Sequence, residues 1–202
     1  MQPGCATIRR VSRKRFDDMP CSIAQALNLV GDWWTLLVIR EAFLGVRRFA
    51  DFRDHLGIAR NILSDRLRKL VAADILAKQP KRTADGYEYR LTEKGRDLWA
   101  VLTALRLWGD KWISGAGHEP VIVREREHGA VVTQLLPADA AGNVLDRLRL
   151  VALPGPGTSP EDAARYRVRP EDRAQLVPRI STLRANLDAT RSAVRRGRRA
   201  RR

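Results

Sequence analysis

Apolar and polar positions follow a helical period between residues 57 and 76, which read GIARNILSDRLRKLVAADIL. At about 100° per residue, Leu63, Leu67, Leu70 and Val71 fall within one stripe, wide enough to be the buried face of a helix. The other side is polar and carries Arg60, Asn61, Ser64, Asp65, Arg68 and Lys69. The pattern predicts an amphipathic helix whose polar side is either solvated or a binding face.

A second short helix is predicted just upstream, in RRFADFRDHLG. Its Phe49, Phe52 and Leu56 repeat at i, i+3 and i+7, and Gly57 follows as turn material. Two short helices joined through a turn that contains glycine are typical of a helix-turn-helix.

Two strand-like runs follow downstream, ILAKQPK and YEYRLT, with the turn RTADG between them. A helix-turn-helix followed by a basic hairpin is a winged helix, whose second helix can enter the major groove of DNA. Arginine can bind guanine and asparagine can bind adenine with two hydrogen bonds each. The predicted DNA-binding residues are therefore Arg60, Asn61, Ser64, Asp65, Arg68 and Lys69 on the helix, with Lys81 and Arg82 on the wing.

Several motifs, in order, closely resemble the HxlR-type winged helix-turn-helix regulators of bacteria. They are GDWWTLLVIREAFLG, RRFADFRDHLGIARNILSDRLRKLVAADIL, YEYRLTEKGRDL and LRLWGDKW, and together they span roughly residues 20 to 114. The resemblance implies a dimeric transcription factor, often a repressor, with a long C-terminal helix for dimerisation. It also implies a candidate sensor of oxidants or electrophiles at Cys21, just before the first core helix.

Three positions depart from the family pattern. Trp33 stands where a cation often precedes the tryptophan, so one phosphate contact is expected to be missing. Ala59 replaces the usual serine before the recognition helix, which weakens its N-cap. Asp74 replaces the usual glycine after it, and aspartate accepts the left-handed conformation more readily than most residues.

A dimerisation helix is predicted in EKGRDLWAVLTALRLWGDKWI, residues 93 to 113, with Thr92 as its cap. Its apolar residues recur at steps of three and four, which suits packing of one helix on another: Leu98, Val101, Leu105, Trp108 and Trp112. The same stripe would also serve a core helix of a monomer. Tryptophan is enriched at interfaces, which favours the dimer.

The chain divides by composition into four parts. Residues 1–19 are predicted to form a flexible basic arm, and residues 20–114 the DNA-binding and dimerisation domain. Residues 115–153, which contain short β-branched runs, are predicted to form a small β appendage. Residues 154–202 read as a linker, one helix over 174–195 and an Arg-rich disordered tail. The expected fold class is mainly α (α+β): a winged helix-turn-helix with a long dimerisation helix, a β appendage and a basic tail.

Charge narrows the class of partner. The 202 residues hold 38 Lys and Arg against 23 Asp and Glu, a net charge of +15, with a pI near 11.1. Such a balance indicates a polyanionic partner, either nucleic acid or an anionic membrane surface. No apolar run approaches the ~20 residues of a membrane span, and the basic N-terminus precedes no signal-peptide core. The sequence therefore predicts a cytoplasmic protein that binds double-stranded DNA and no membrane.

The sequence offers no catalytic or metal-binding constellation. Cys5 and Cys21 are too few for a disulfide framework or a zinc site, and His55, His118 and His128 share no ligand spacing. No nucleophile elbow or phosphate-binding loop occurs. We therefore expect no enzyme activity, no cofactor and no metal.

Cys21 is the candidate signal-sensing residue. At the start of the predicted helix SIAQALNLV, the partial positive charge of the helix N-terminus favours a thiolate. The alternative is an inert, small apolar side chain. Cys5, on the arm, could serve as partner thiol, and the chemical identity of any inducer is undefined by the sequence.

Two functions remain in competition. One is a sequence-specific, dimeric transcriptional repressor. The other is a sequence-nonspecific nucleic-acid-binding protein, driven by the Arg-rich ends through counterion release.

Overall fold

The structure, a computed structural model, describes residues 15–163 apart from Pro20, 81–85, Leu153 and Pro156. Cys5, Lys81, Arg82 and the helix expected over 174–195 lie outside these residues. The chain divides between Trp99 and Ala100 into two compact units.

Among the described residues, the first unit contains most of the regular structure. Its helices are α1 (Ser22–Val30), α2 (Trp33–Phe43), α3 (Phe49–Leu56), α4 (Arg60–Ala72) and α5 (Glu93–Arg96), and its strands are β1 (Leu76–Pro80) and β2 (Tyr87–Leu91). The two strands form an antiparallel sheet in which Leu76 pairs with Leu91 and Pro80 with Tyr87. This mainly helical arrangement with a two-stranded wing confirms the expected winged helix-turn-helix.

The core of the first unit lies where α2, α3 and α4 meet the wing. Its largest fully buried side chains are Val38, Ile39, Phe52, Leu63, Leu67, Leu70, Ile75 and Leu76. The stripe read from the sequence of α4 supplies three of them, at the helical spacing that puts them on one side. Burial of such side chains, each worth about 1.5–3 kcal/mol, is what orients α4 in the domain.

Residues 15–19, part of the expected arm, are held against α1. The Gln25 side chain donates to the carbonyl oxygens of Phe16 and Met19 at 2.9 and 3.0 Å, and the backbone N–H of Phe16 donates to Asn28 Oδ1 at 2.9 Å. These bonds fix the end of the arm beside the helix.

The helix expected over 93–113 is interrupted. Thr92 caps α5 as expected, accepting a hydrogen bond from the N–H of Gly95 at 3.0 Å. Gly95 is buried, and a Cβ there would lie 2.1 Å from the carbonyl oxygen of Ile75. After α5 the N–H of Leu98 bonds to the carbonyl of Gly95, a tighter i→i−3 turn, and α6 (Trp99–Gly109) begins.

The described part of the second unit, residues 100–163 apart from Leu153 and Pro156, has little regular structure beyond α6. A π-helical turn, Asp110–Ser114, prolongs α6, and a 3-10 turn (Arg147–Arg149) and a short helix, α7 (Pro160–Ala163), follow. Where β strands were expected over 115–153, only two isolated antiparallel bridges form, Arg124 with Val131 and Ala138 with Val144. Most side chains between 119 and 152 are exposed, so too little apolar surface is buried there to stabilise longer strands.

In the part of the chain that the structure describes, no single helix is long and apolar enough to cross a membrane. The pair α1 and α2 passes that test together by length and composition alone, with a bend of 78° between them.

Candidate nucleic-acid interface

The two helices of the helix-turn-helix are α3 and α4. Gly57 ends α3 in the left-handed conformation, φ 59° and ψ 24°, which glycine adopts without steric cost. Ala59 stands at the N-cap of α4 and makes no side-chain cap hydrogen bond, as its chemistry predicted. The backbone N–H groups at the start of α4 are therefore left for water or for a phosphate group.

The polar side of α4 faces away from the core. Arg60, Asn61, Ser64, Arg68 and Lys69 are exposed, while Leu63, Leu67 and Leu70 are buried on the other side. Arg60 and Asn61 occupy the first turn, the part of a recognition helix that meets base edges in a major groove.

Asp65 is different from its neighbours, because it binds cations of its own helix. Its carboxylate accepts hydrogen bonds from Lys69 Nζ at 2.8 Å and from Arg66 Nη1 at 3.1 Å, and it also pairs with Arg68 Nη2. The hydrogen bond from Lys69 is the largest of the effects that hold the pKa of Asp65 below its ordinary value. Asp65 therefore stays ionised and sets where two exposed cations of the polar face lie.

Arg66 links this cluster to the start of α2. Its Nη2 lies 2.9 Å from Asp32 Oδ2, and Asp32 Oδ1 accepts the N–H of Trp34 as the N-cap of α2. The side chains of Arg66 and Asp32 are only 17% and 16% exposed. The sequence pattern did not predict this link, although aspartate at a helix N-terminus and arginine on a second helix often form ion pairs.

The wing is fixed to α3 through Tyr89. The N–H of Tyr89 donates to the carbonyl of Arg47 at 2.8 Å, and its ring meets the fully buried Phe52 edge to face at 6.4 Å. Burial raises the pKa of the Tyr89 phenol. The wing is therefore held to the segment before α3 by a hydrogen bond and to α3 itself by an aromatic contact.

The wing tip, with Lys81 and Arg82, falls outside the described residues. The described strands carry two exposed cations. Lys78 lies 4.0 Å from the ring centre of Tyr87, and Arg90 pairs with Glu88 at 2.8 Å. These are positions from which a wing can contact phosphates.

Glu41 is a buried charge that the sequence did not reveal. It is 5% exposed, and its two oxygens bind Arg40 Nη2 at 2.6 Å and His55 Nδ1 at 3.1 Å. Burial by itself would raise the pKa of Glu41, but the hydrogen bonds from Arg40 and His55 outweigh burial and lower it. His55 is an exposed residue that ties α3 to α2 through this contact.

The expected dimerisation seam is largely exposed. Val101, Leu105, Trp108 and Trp112 have exposed fractions from 50% to 66%, and Leu98 is half-buried. Large apolar side chains are seldom grouped in this way on the surface of a monomer.

α1 has an exposed apolar face that was not predicted from the sequence. Ile23 and Leu27, at i and i+4, are 73% and 45% exposed, whereas Ala24 and Val30 are buried. The i, i+4 spacing in SIAQALNLV was the available signal.

Cys21 stands at the N-cap of α1, as expected, and is exposed with a free thiol. Its side chain makes no cap hydrogen bond. Among the residues that the structure describes, no group of three or more His, Cys, Asp or Glu is placed to hold a metal ion.

Comparison with known proteins agrees with this geometry. Residues 29–116 match the family described as HxlR-like helix-turn-helix. An uncharacterized HTH-type transcriptional regulator of Mycobacterium tuberculosis is 40% identical over 137 residues, which cover 67% of this chain and 87% of that protein.

Two solved structures are similar to this chain. The crystal structure of PA1607, a candidate transcription factor, is 36% identical with a TM-score of 0.60, and the match covers 65% of this chain and 93% of that one. PA1374 from Pseudomonas aeruginosa, also a candidate transcription factor, is 37% identical with a TM-score of 0.52 and covers 72% and 99%.

Proposed function

The chain belongs to the HxlR-like helix-turn-helix family of transcriptional regulators, and from this premise we propose that it is a dimeric repressor that reads a specific operator through α4. The single observation that carries the proposal is the exposed polar face of α4. Three buried leucines on the opposite side of α4 pack it into the core, and α4 follows the left-handed turn at Gly57. A rigid helix that offers Arg and Asn in its first turn has the chemistry for reading bases.

We assign different roles to the residues of this face. Arg60 and Asn61 read bases, and Ser64 contacts a base or a phosphate. Arg68 and Lys69 bind phosphates from positions that Asp65 fixes through its ion pairs. Lys81 and Arg82 contact the DNA backbone from the wing.

The dimer forms through α6 in this proposal. The exposed Leu105, Trp108 and Trp112 support it, because an apolar surface of this kind is stabilised by burial against an identical copy. A two-fold dimer repeats its recognition helix at about one turn of DNA, ~34 Å, so the operator has two inverted half-sites.

Selection of bound DNA from a random pool by the purified full chain tests the proposal. We expect one enriched, inverted-repeat sequence, protected on both half-sites in footprinting. Protection of one unsymmetrical half-site by a monomer would contradict the dimer.

A sequence-nonspecific nucleic-acid-binding protein is the competing function, since the net charge of +15 favours polyanions of any sequence. Deletion of residues 191–202 separates the two. A specific regulator would lose affinity for all DNA equally and keep its operator preference, whereas a nonspecific binder would have no preference to keep.

Sensing of oxidants or electrophiles by Cys21 stays a prediction. Its support is the exposed thiol at the N-cap of α1, where a solvent-borne electrophile can reach it.

A further inference from the structure

The first unit contains a cavity of about 550 Å³ beside α4. It lies between the residues that precede α1, the junction of α1 and α2, and the C-terminal half of α4. Its volume falls within the range of sites that bind small molecules, roughly 300–1,000 Å³.

The charged residues of the cavity favour an anion. Arg15, Arg66 and Lys69 line it, against one carboxylate, Asp32. Arg15 is also paired with Asp17, at 2.6 Å, and Lys69 with Asp65, at 2.8 Å. Arg66 is the least exposed of these cations, with 17% of its side chain accessible, against 74% for Arg15 and 62% for Lys69. Its Nη2 faces Asp32 and its Nη1 faces Asp65, and each of these nitrogens carries a second N–H that can donate to a further acceptor.

The apolar residues favour an organic ligand over a bare phosphate. Phe16, Leu27 and Leu29 line the same cavity, together with Ala72 and Ala73 at the end of α4. The uncharged residues Asn28, Gly31 and Thr35 make up the rest of the lining. Such a wall stabilises an aromatic or branched aliphatic group by burial. An apolar wall with a few polar groups at one side is the usual form of a small-molecule site.

We propose that this cavity is an effector site for a small organic anion, a carboxylate on an aromatic or branched body, with Arg66 as its anchor. Without a ligand, Arg66 pairs with Asp32 and Asp65. Asp65 in turn pairs with Arg68 and Lys69 on the polar face of α4. A carboxylate on Arg66 competes with both aspartates. It therefore changes the positions of the two phosphate-binding cations and weakens the operator complex.

The effect on DNA rests on the proposed function, whereas binding of the anion does not. The first experiment accordingly uses the full chain without DNA. Benzoate and phenylacetate are the probes, and the neutral benzamide and phenylacetamide are their matched controls. Thermal unfolding and ligand-observed NMR report binding. We expect both carboxylates to raise the unfolding temperature and neither amide to do so.

Two variants locate the site. Arg66→Met removes the anchor and should weaken carboxylate binding by about tenfold, the loss expected for a charge-assisted hydrogen bond. Ala72→Phe fills the cavity from an exposed helix position and leaves every ion pair in place, so it tests the site even if Arg66→Met folds poorly. Ala140→Phe, at an exposed position of the second unit, is the matched control and should bind as the parent does.

The second experiment adds the selected operator and follows its affinity by fluorescence anisotropy. We expect the carboxylates to weaken the parent's complex several-fold and to leave the Ala72→Phe complex unchanged. Failure of both carboxylates to bind, or binding that survives Ala72→Phe, would overturn the effector site. Absence of carboxylate binding together with weaker binding of Ala72→Phe to every DNA sequence would assign the cavity to a DNA phosphate instead. Absence of any selected operator, with carboxylate binding intact, would overturn only the proposed function.

Discussion

Arg66 of α4 and Asp32 at the start of α2 form an ion pair, Nη2 to Oδ2 at 2.9 Å, with more than four-fifths of each side chain buried. The same aspartate caps α2 through the N–H of Trp34 at 3.0 Å. One carboxylate thus fixes the first turn of one helix and the middle of the recognition helix. The placement of α4 in the domain depends on this carboxylate as well as on its leucines.

We expect Asp32→Ala to lower the free energy of unfolding by about 1 to 3 kcal/mol, because it removes a helix cap and one of the two carboxylates that pair with the mostly buried Arg66. Asp32→Asn should cost less, since its side-chain oxygen can still accept the N–H of Trp34. Urea unfolding measures both. A double-mutant cycle with Arg66→Met should give a coupling of about 0.5 to 3 kcal/mol, and strict additivity would mean that the pair contributes nothing.

Arg60→Ala and Asn61→Ala should each cost about 1 to 3 kcal/mol of operator binding and relax base preference at one position, because each removes a two-bond contact to a base. Competition between the operator and single-base variants measures this. Lys78→Ala, on the wing, is the control and should weaken binding to all sequences alike. The same uniform loss with Arg60→Ala or Asn61→Ala would make those residues phosphate contacts.

Leu105→Glu and Trp108→Glu should convert the dimer to a monomer, because each places a charge without a partner inside an apolar interface. Sedimentation velocity gives the molecular mass directly. Leu148→Glu introduces the same charge at an 85% exposed side chain of the 3-10 turn, outside α6, and should leave the dimer intact. An unchanged dimer in both α6 variants would exclude this seam as the interface.

Glu41 should make stability dependent on acid pH. Its pKa in the folded protein lies below the ordinary 4.5, so its contribution is present above pH 4.5 and is lost as the pH falls through the folded pKa. We expect Glu41→Gln to be about 1 to 2 kcal/mol less stable at neutral pH, with a difference that shrinks towards acid pH. Urea unfolding over a pH series tests this, with the exposed Glu127→Gln as control. A constant difference at all pH values would show that the ionised form of Glu41 has no special role.

If Cys21 is the sensor, the Cys21→Ser protein should stay bound to operator DNA in the presence of diamide, while the parent protein dissociates from it. The serine can cap α1 where the cysteine does not, so the reduced variant should also be more stable, by about 0.5 to 1 kcal/mol. Fluorescence anisotropy of labelled operator DNA, with and without diamide, measures the affinity of each protein. Cys5→Ser shows whether the arm supplies a second sulfur, and a Cys21→Ser protein that responds to diamide as the parent does would rule the switch out.

Local chemistry in the sequence determined much of this protein. The helical stripe of Leu63, Leu67 and Leu70 predicted α4 and its buried side, because burial follows the 3.6-residue period of the backbone. The two β-rich runs predicted the wing. Asp74 was expected to tolerate the left-handed conformation and has φ 55°, since the need for a turn after α4 is itself local.

The tertiary structure alone decided which polar residues meet across the fold. The bond between Arg66 and Asp32 joins residues 34 positions apart, and Glu41 meets His55 across two helices. Periodicity assigns a residue to a face but not to a partner, because the partner depends on how the helices pack. The close approach of Gly95 to the carbonyl of Ile75 likewise joins residues 20 positions apart, and the helical period of residues 93–113 does not indicate it.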